Sequence, residues 1–289
     1  MSPRLTKNWS GNDRRSIARE IGMNRFTIGM ALAGAMVFSS AAAAQDDESA
    51  RATRWNELAQ EIFVGKQLQN GDAKISLEAP DRAFDAALVP ITISVQNPED
   101  VKSIYLVIDD NPAPVAAHFT FGPAGDPQSL KLRVRVSQYT NIHAVEETKQ
   151  GVLYESHRFV KASGGCSAPS GSYDQAALAG IGDMKLRLVG DPNPGPLREA
   201  QLLIRHPNFN GMQMDPATQG YTPARFLKSI DATFGGALVF HLDSDISLAA
   251  DPAISFVFKA PSKGKLAITA RDSDDAVFEH SFDFDSQGS

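Results

Sequence analysis

The chain has 289 residues, 42% hydrophobic and 21% charged, with 28 Lys and Arg against 34 Asp and Glu. That balance describes a globular protein and excludes a disordered one. With no basic stripe in a chain of net charge −6, the clustered cations that nucleic-acid backbones require are missing, so no nucleic acid is expected as a partner.

The N-terminus reads as an export signal. A basic stretch from Met23-Asn-Arg precedes the apolar run Phe26 to Phe38 and the small-residue segment SSAAAAQDD. These are the three parts of a secretory signal peptide, with cleavage expected near Ala44–Gln45. The run is too short for a bilayer, which needs about 20 residues, and no other apolar stretch is longer, so no membrane span is expected. Residues 1–44 are assigned to this signal, with Met1 and Met23 both open as the true start. Arg14-Arg15 resembles a twin-arginine pair, but no apolar run follows it directly, which favours ordinary secretion. The secreted chain keeps 22 Lys and Arg against 32 Asp and Glu. Its expected location is an oxidising compartment, a bacterial periplasm.

Beyond the signal, Trp55, Leu58, Ala59, Ile62 and Phe63 recur at spacings of three and four, which predicts an amphipathic helix over 54–67. The chain then turns to β. AKISLEAP, Leu88 to Gln96, VKSIYLVID and SLKLRVRVS are short alternating or β-branched runs broken by Pro, Asn, Asp and Gly. In SLKLRVRVS, Leu130, Leu132, Val134 and Val136 take one face. Lys131, Arg133 and Arg135 take the other, solvent-facing one. A second β-rich stretch begins near Met184. Its clearest element is a hairpin: Ile230, Ala232 and Phe234 point inward, Gly235-Gly236 turns, and Leu238, Phe240 and Leu242 return. Ile254, Phe256 and Phe258 read as another strand, as do Phe278, His280, Phe282 and Phe284. No βαβ alternation appears. The expected fold is mostly β: two immunoglobulin-like β-sandwich domains in tandem, over 51–160 and 183–289, with an N-terminal helix on the first.

Between them, 161–182 is rich in glycine and serine and reads as a flexible arm. It carries the only cysteine of the chain, Cys166. A lone cysteine in an exported protein implies an intermolecular bond, such as a Cys166-linked homodimer, or a free reactive thiol. Its polar, small neighbours Ser163, Gly164, Gly165 and Ser167 predict a mobile, exposed thiol. A catalytic Cys–His pair would use His157 or His206, but a nucleophile needs a fixed direction that such an arm does not give. His206, Met212 and Met214 in RHPNFNGMQMD offer soft copper ligands without a specific spacing. The remaining histidines, His118, His143, His241 and His280, show no metal-ligand spacing, and no metal or cofactor site is assigned.

Particular segments carry a family resemblance. The Gly164-Gly165-Cys166 end of the first sandwich resembles the swinging arm of SoxY, the sulfur-carrier subunit of bacterial sulfur oxidation. LLIRHP (202–207), TPARFLKSI (222–230) and AISFVFKAPSKGKLAITARDSD (253–274) resemble SoxZ. The chain thus resembles a SoxY–SoxZ fusion over most of 51–285, a kind grouped with quinoprotein dehydrogenase systems. The resemblance implies a non-enzymatic carrier of thiosulfate oxidation. Cys166 would hold a thiosulfonate or persulfide on a swinging arm formed by Ser163, Gly164, Gly165 and Ser167. Its partners would be periplasmic redox enzymes or cytochromes of sulfur oxidation, or a quinoprotein dehydrogenase system. The alternative from the residues is a copper-binding or dehydrogenase accessory protein using Cys166 with Met or His. One departure stands out: Ser167-Ala168-Pro169 follows the cysteine and the chain continues, so the arm is a loop tied at both ends.

Overall fold

The first half contributes β1 (Leu68–Asn70), β2 (Ile75–Glu78), β3 (Val89–Val95), β4 (Val101–Ile108), β5 (Val115–Phe121), β6 (Gly125–Val134), β7 (Thr140–Thr148) and β8 (Leu153–Val160), with buried residues alternating clearly in β2 and β3. The second half contributes β9 (Met184–Val189), β10 (Leu197–Ile204), β11 (Leu227–Phe234), β12 (Ala237–Ser244), β13 (Ala253–Lys259), β14 (Gly264–Asp272) and β15 (Val277–Phe284). The computed structural model describes residues 31–168, 178–190, 195–215, 218–260 and 263–284, with side chains from residue 47. The expected signal peptide up to residue 30, and 169–177 of the expected arm, lie outside the described residues.

The chain divides into a unit ending at Ala50 and a body from Arg51 to Ser289. What is described of the first unit is helical backbone, the start of α1 (Ala31–Ile62). Among the described residues no helix is long and apolar enough to cross a membrane. In the body, the end of α1 buries Ala59, and Phe63 follows it onto Val145 and Leu153, with Trp55, Ile62, Leu68 and Tyr105 packed around them. The expected apolar face is the buried one, although the helix stops at Ile62 and the chain turns at 63–65 into β1.

The fold is mostly β, two sandwiches in tandem, and the two are joined edge to edge. One sheet has nine strands in the order β1-β8-β7-β4-β5-β12-β11-β14-β15; the other has six, β2-β3-β6-β13-β10-β9. Both cross from one half to the other. In the first sheet the crossing is the β5–β12 pair, from Phe121↔Phe240 to Ala117↔Ser244. In the second it is β6–β13, with Leu130↔Phe256 and Lys131↔Ser255. One apolar core therefore runs under both junctions. Phe119 meets Phe240 at 5.5 Å and Phe240 meets Phe256 at 5.0 Å, both edge to face. Phe119, Phe240, Phe256 and Phe258 are essentially inaccessible, and burying each stabilises the fold by roughly 1.5–3 kcal/mol.

The glycine hairpin joins β11 and β12, and Gly235 and Gly236 take φ of 57° and 86°. Only glycine adopts two successive left-handed residues readily, and that is the backbone a tight two-residue turn demands. One detail of the expected alternation fails. A bulge between Ala232 and Thr233 shifts the register, so Val239 is buried and Leu238 is only partly so.

Candidate functional site

The site is assembled where β6 leaves its sheet. Arg135, expected on the solvent face of that strand, is instead 2% exposed. The ladder ends at Val134, which bridges Leu248, and Arg135 N–H donates to Ser247 O at 2.8 Å. The chain bends there, so strict alternation no longer decides which way the side chain points. Asn111 straps the bend. Its Nδ2 donates to Arg135 O (2.7 Å) and Ser247 Oγ (2.9 Å), and its Oδ1 accepts from Ser137 N–H (2.9 Å).

Residues 164–167 of the expected arm lie in this bend. Gly164 N–H donates to Ser137 O at 2.8 Å and Gly165 N–H to Val136 O at 2.9 Å, while Val136 N–H donates to Ala86 O at 2.8 Å. Gly164 has φ of +79°, a left-handed turn that places Ser167 N–H and Ser167 Oγ each 3.2 Å from Gly164 O. Gly165 is required for close approach: a Cβ there would lie 2.0 Å from Ala86 O and 2.7 Å from Val136 O. From the second half, Asn210 Nδ2 donates to Cys166 O at 2.6 Å. Ser163, Gly164 and Ser167 remain exposed.

Cys166 itself is only 2% exposed, which corrects the expectation of an exposed thiol. The small residues around it do confer freedom, but here they let the backbone sink against Val136 and Ala86. Burial pushes the thiol pKa up, and the hydrogen bond from Ser137 and the charge of Arg135 offset this only in part. A seated Cys166 is thus a neutral thiol at physiological pH, and thiols in that form are poor nucleophiles.

Asn210 is held by its own loop. Its backbone N–H donates to Gln213 Oε1 (3.1 Å) and its Oδ1 accepts from Met212 N–H (3.0 Å). The loop base is a buried polar network. Asn208 Nδ2 donates to Ala249 O, Asn208 Oδ1 accepts from Leu227 N–H, and its own N–H donates to His206 Nδ1. Arg225 Nε donates to Asp272 Oδ2 at 2.9 Å, and Asp272 Oδ1 accepts from Asp274 and Ala276 N–H. Asp272 is fully buried. Burial raises its pKa, but these donors, Arg225 foremost, hold it below the usual carboxylate range.

The other candidate residues are placed elsewhere or already engaged. His206 is fully buried with Nδ1 occupied, and Met214 is 52% exposed. His157 directs Nδ1 to Glu155 Oε1 at 3.0 Å. Among the described residues, no group of three His, Cys, Asp or Glu ligands includes Cys166; the one such group is His143, Glu155 and His157. That group is an ion-paired knot under α1. His143 directs Nδ1 to Glu155 Oε1 (2.7 Å) and Nε2 to Asp109 Oδ2 (3.2 Å), and Trp55 stacks on its ring at 3.6 Å. A recess of about 420 Å³ between Pro98, Phe121, Pro127, Lys149 and Lys259 shares no lining residue with the seat of the arm. Arg135, Ser137, Asn111 and Asn210 are the residues sequence reasoning missed. The only local sign was Asn210 itself, in a polar loop already singled out for other side chains.

Two family matches cover most of the body. Sulfur oxidation protein SoxY matches residues 59–166, ending on Cys166, and sulphur oxidation protein SoxZ matches 186–283. No curated relative matches the chain. Among solved structures, the sulfur carrier protein SoxY from Chlorobium limicola f thiosulfatophilum is 26% identical, covering 41% of this chain and 99% of its own at a TM-score of 0.35. Superoxide reductase (neelaredoxin) from Ignicoccus hospitalis is 14% identical, over 30% of this chain and 78% of its own, at 0.28. A beta-glycosidase from Bacteroides vulgatus is 11% identical, over 78% of this chain and 26% of its own, at 0.24.

Proposed function

Because the chain is a SoxY domain fused to a SoxZ domain, a carrier of sulfur oxidation, we propose that it bears sulfur intermediates covalently on Cys166 in the periplasm and presents them to partner redox enzymes. The observation that carries this reading is the arm. The chain's single cysteine closes the SoxY match and follows a glycine pair, and its seat is built by both halves. A lone thiol leaves the cargo no internal competitor. Seating holds the thiol neutral and covered, and release of the arm exposes it as a nucleophile. Loading with thiosulfate joins Cys166 Sγ to the outer sulfur of thiosulfate. The thiol proton leaves to solvent and two electrons pass to a partner redox protein such as a cytochrome, giving a thiosulfonate with one negative charge. A persulfide is the cargo left when the terminal sulfonate is later removed by hydrolysis as sulfate. The protein itself turns nothing over; chemistry belongs to the partners, with a quinoprotein dehydrogenase system as a further candidate.

The test is intact mass spectrometry of the protein taken from its native periplasm, with and without reductant. A reductant-sensitive adduct of thiosulfonate or persulfide mass on the Cys166 peptide is the expected result. A bare thiol under conditions of active sulfur oxidation, or copper retained through Cys166 in a native-mass spectrum, would overturn it. The same spectra read the mature N-terminus, expected at Gln45.

A further inference from the structure

Beside Cys166 lies a buried cation that, among the described residues, has no counter-ion. Arg135 is 2% exposed, its Nε–H has no partner, and its Nη1 donates to Gly165 O at 3.4 Å, a long hydrogen bond. Taking a guanidinium out of water is costly unless a paired anion replaces the lost solvation. The acidic side chain that acts on it, Asp85, is exposed and caps Ala87 N–H at 2.8 Å instead. The other group whose charge acts on it is Cys166. A neutral thiol gives Arg135 no negative charge, so the seat is electrostatically incomplete when the arm is unloaded. Asp272, the buried carboxylate beneath the Asn210 loop, is by contrast matched by Arg225.

We propose that Arg135 is the counter-ion of the cargo: the seat accepts an arm whose Cys166 bears a group ending in a sulfur oxyanion, and holds that form in preference to a neutral one. This rests on Cys166 being the attachment atom. The fork of the guanidinium, with planar N–H donors, matches an oxyanion as an ammonium does not. Loaded with a thiosulfonate, the arm would return to its seat and shelter the cargo; stripped of the terminal sulfonate, it would lose the oxyanion that the guanidinium fork fits.

The experiment loads the purified secreted chain chemically, without partners. With tetrathionate, the Cys166 thiolate displaces thiosulfate and keeps an S–SO₃⁻ group. With methyl methanethiosulfonate it displaces methanesulfinate and keeps a neutral S–CH₃ group. An uncharged phosphine then cleaves each adduct, and its rate is divided into that for a peptide of residues 161–168 bearing the same adduct. The expected protection of the anionic adduct exceeds that of the neutral one by about tenfold in the wild type. The excess disappears in Arg135→Met and survives in part in Arg135→Lys. Equal protection of the two adducts in the wild type overturns the assignment even where Arg135→Met fails to fold, as does an excess that persists in a folded Arg135→Met. Either failure leaves the carrier reading standing, since that is decided by the native adduct.

Discussion

Replacing Gly165 by alanine should unseat the arm without disturbing the sandwiches. The added Cβ would stand 2.0 Å from Ala86 O, 2.5 Å from Ala86 C and 2.7 Å from Val136 O, and all three are backbone atoms that no rotamer change can move aside. Lifting the arm forfeits Gly165 N–H to Val136 O, Gly164 N–H to Ser137 O, and Asn210 Nδ2 to Cys166 O. At about 1 kcal/mol net for each hydrogen bond, the seated form loses about 3 kcal/mol, which is on the order of a hundredfold in the unseated population. The readout is the alkylation rate of Cys166 by iodoacetamide at near-neutral pH, followed by intact mass, with circular dichroism confirming the fold. Gly164→Ala provides the internal scale. Its Cβ meets nothing nearer than Ser167 Oγ at 3.9 Å, but its φ is +79°, so the cost is left-handed backbone alone, about 1 kcal/mol, or about fivefold in rate. Folded variants that react at the wild-type rate, or a larger effect at Gly164 than at Gly165, would refute the seating argument.

Asn210→Ala leaves Cys166 O without its side-chain donor, at a cost of about 1–3 kcal/mol, and should raise the alkylation rate about fivefold or more; an unchanged rate would show that the loop does not hold the arm. Asp272→Asn removes the charge paired with Arg225 in a fully buried position. The expected loss is about 3–5 kcal/mol, read as a lowered urea midpoint together with faster Cys166 alkylation, because the loop carrying Asn210 rests on this pair. The knot under α1 sets a pH window. Burial lowers the pKa of His143, but Asp109 and Glu155 raise it above 6.5, so its contribution is full below 6.5 and is lost as pH rises through the raised value. Burial raises the pKa of Glu155, yet His143 and His157 bring it down to about 2, so its contribution is full above 4.5 and is lost as pH falls toward about 2. Melting followed by Trp55 fluorescence, in a chain beginning at Gln45, should peak between those limits. His143→Gln should flatten the alkaline side, and an equally steep decline there would reject the assignment.

The strands and the hairpin were legible because their signal is local. Side chains two apart share a face, and Gly235-Gly236 permits one kind of turn. The seat of Cys166 was not, because its parts come from Ala86, Val136, Ser137 and Asn210, and no spacing along the chain ties them together. Small residues around Cys166 speak equally for a loose loop and for a backbone packed too tightly for side chains; only the distance from Gly165 to Ala86 O separates the two. Arg135 misled for a related reason, since alternation holds while the ladder lasts and the ladder stops one residue before it. The joining of the two sandwiches was equally hidden, because patterning tells which face of a strand is buried and says nothing of which edge is paired.

The place of Cys166 between β8 and β9 fixes a working radius. It stands six residues beyond Val160, where β8 ends, and eighteen before Met184, where β9 begins. A fully extended chain gains at most about 3.3–3.6 Å per residue, so the shorter side allows the sulfur about 20 Å from the end of β8. Any protein that exchanges cargo with this thiol must therefore bring its reacting centre inside a sphere of that size, and one whose centre lies deeper must approach with a narrow projection, not a broad face.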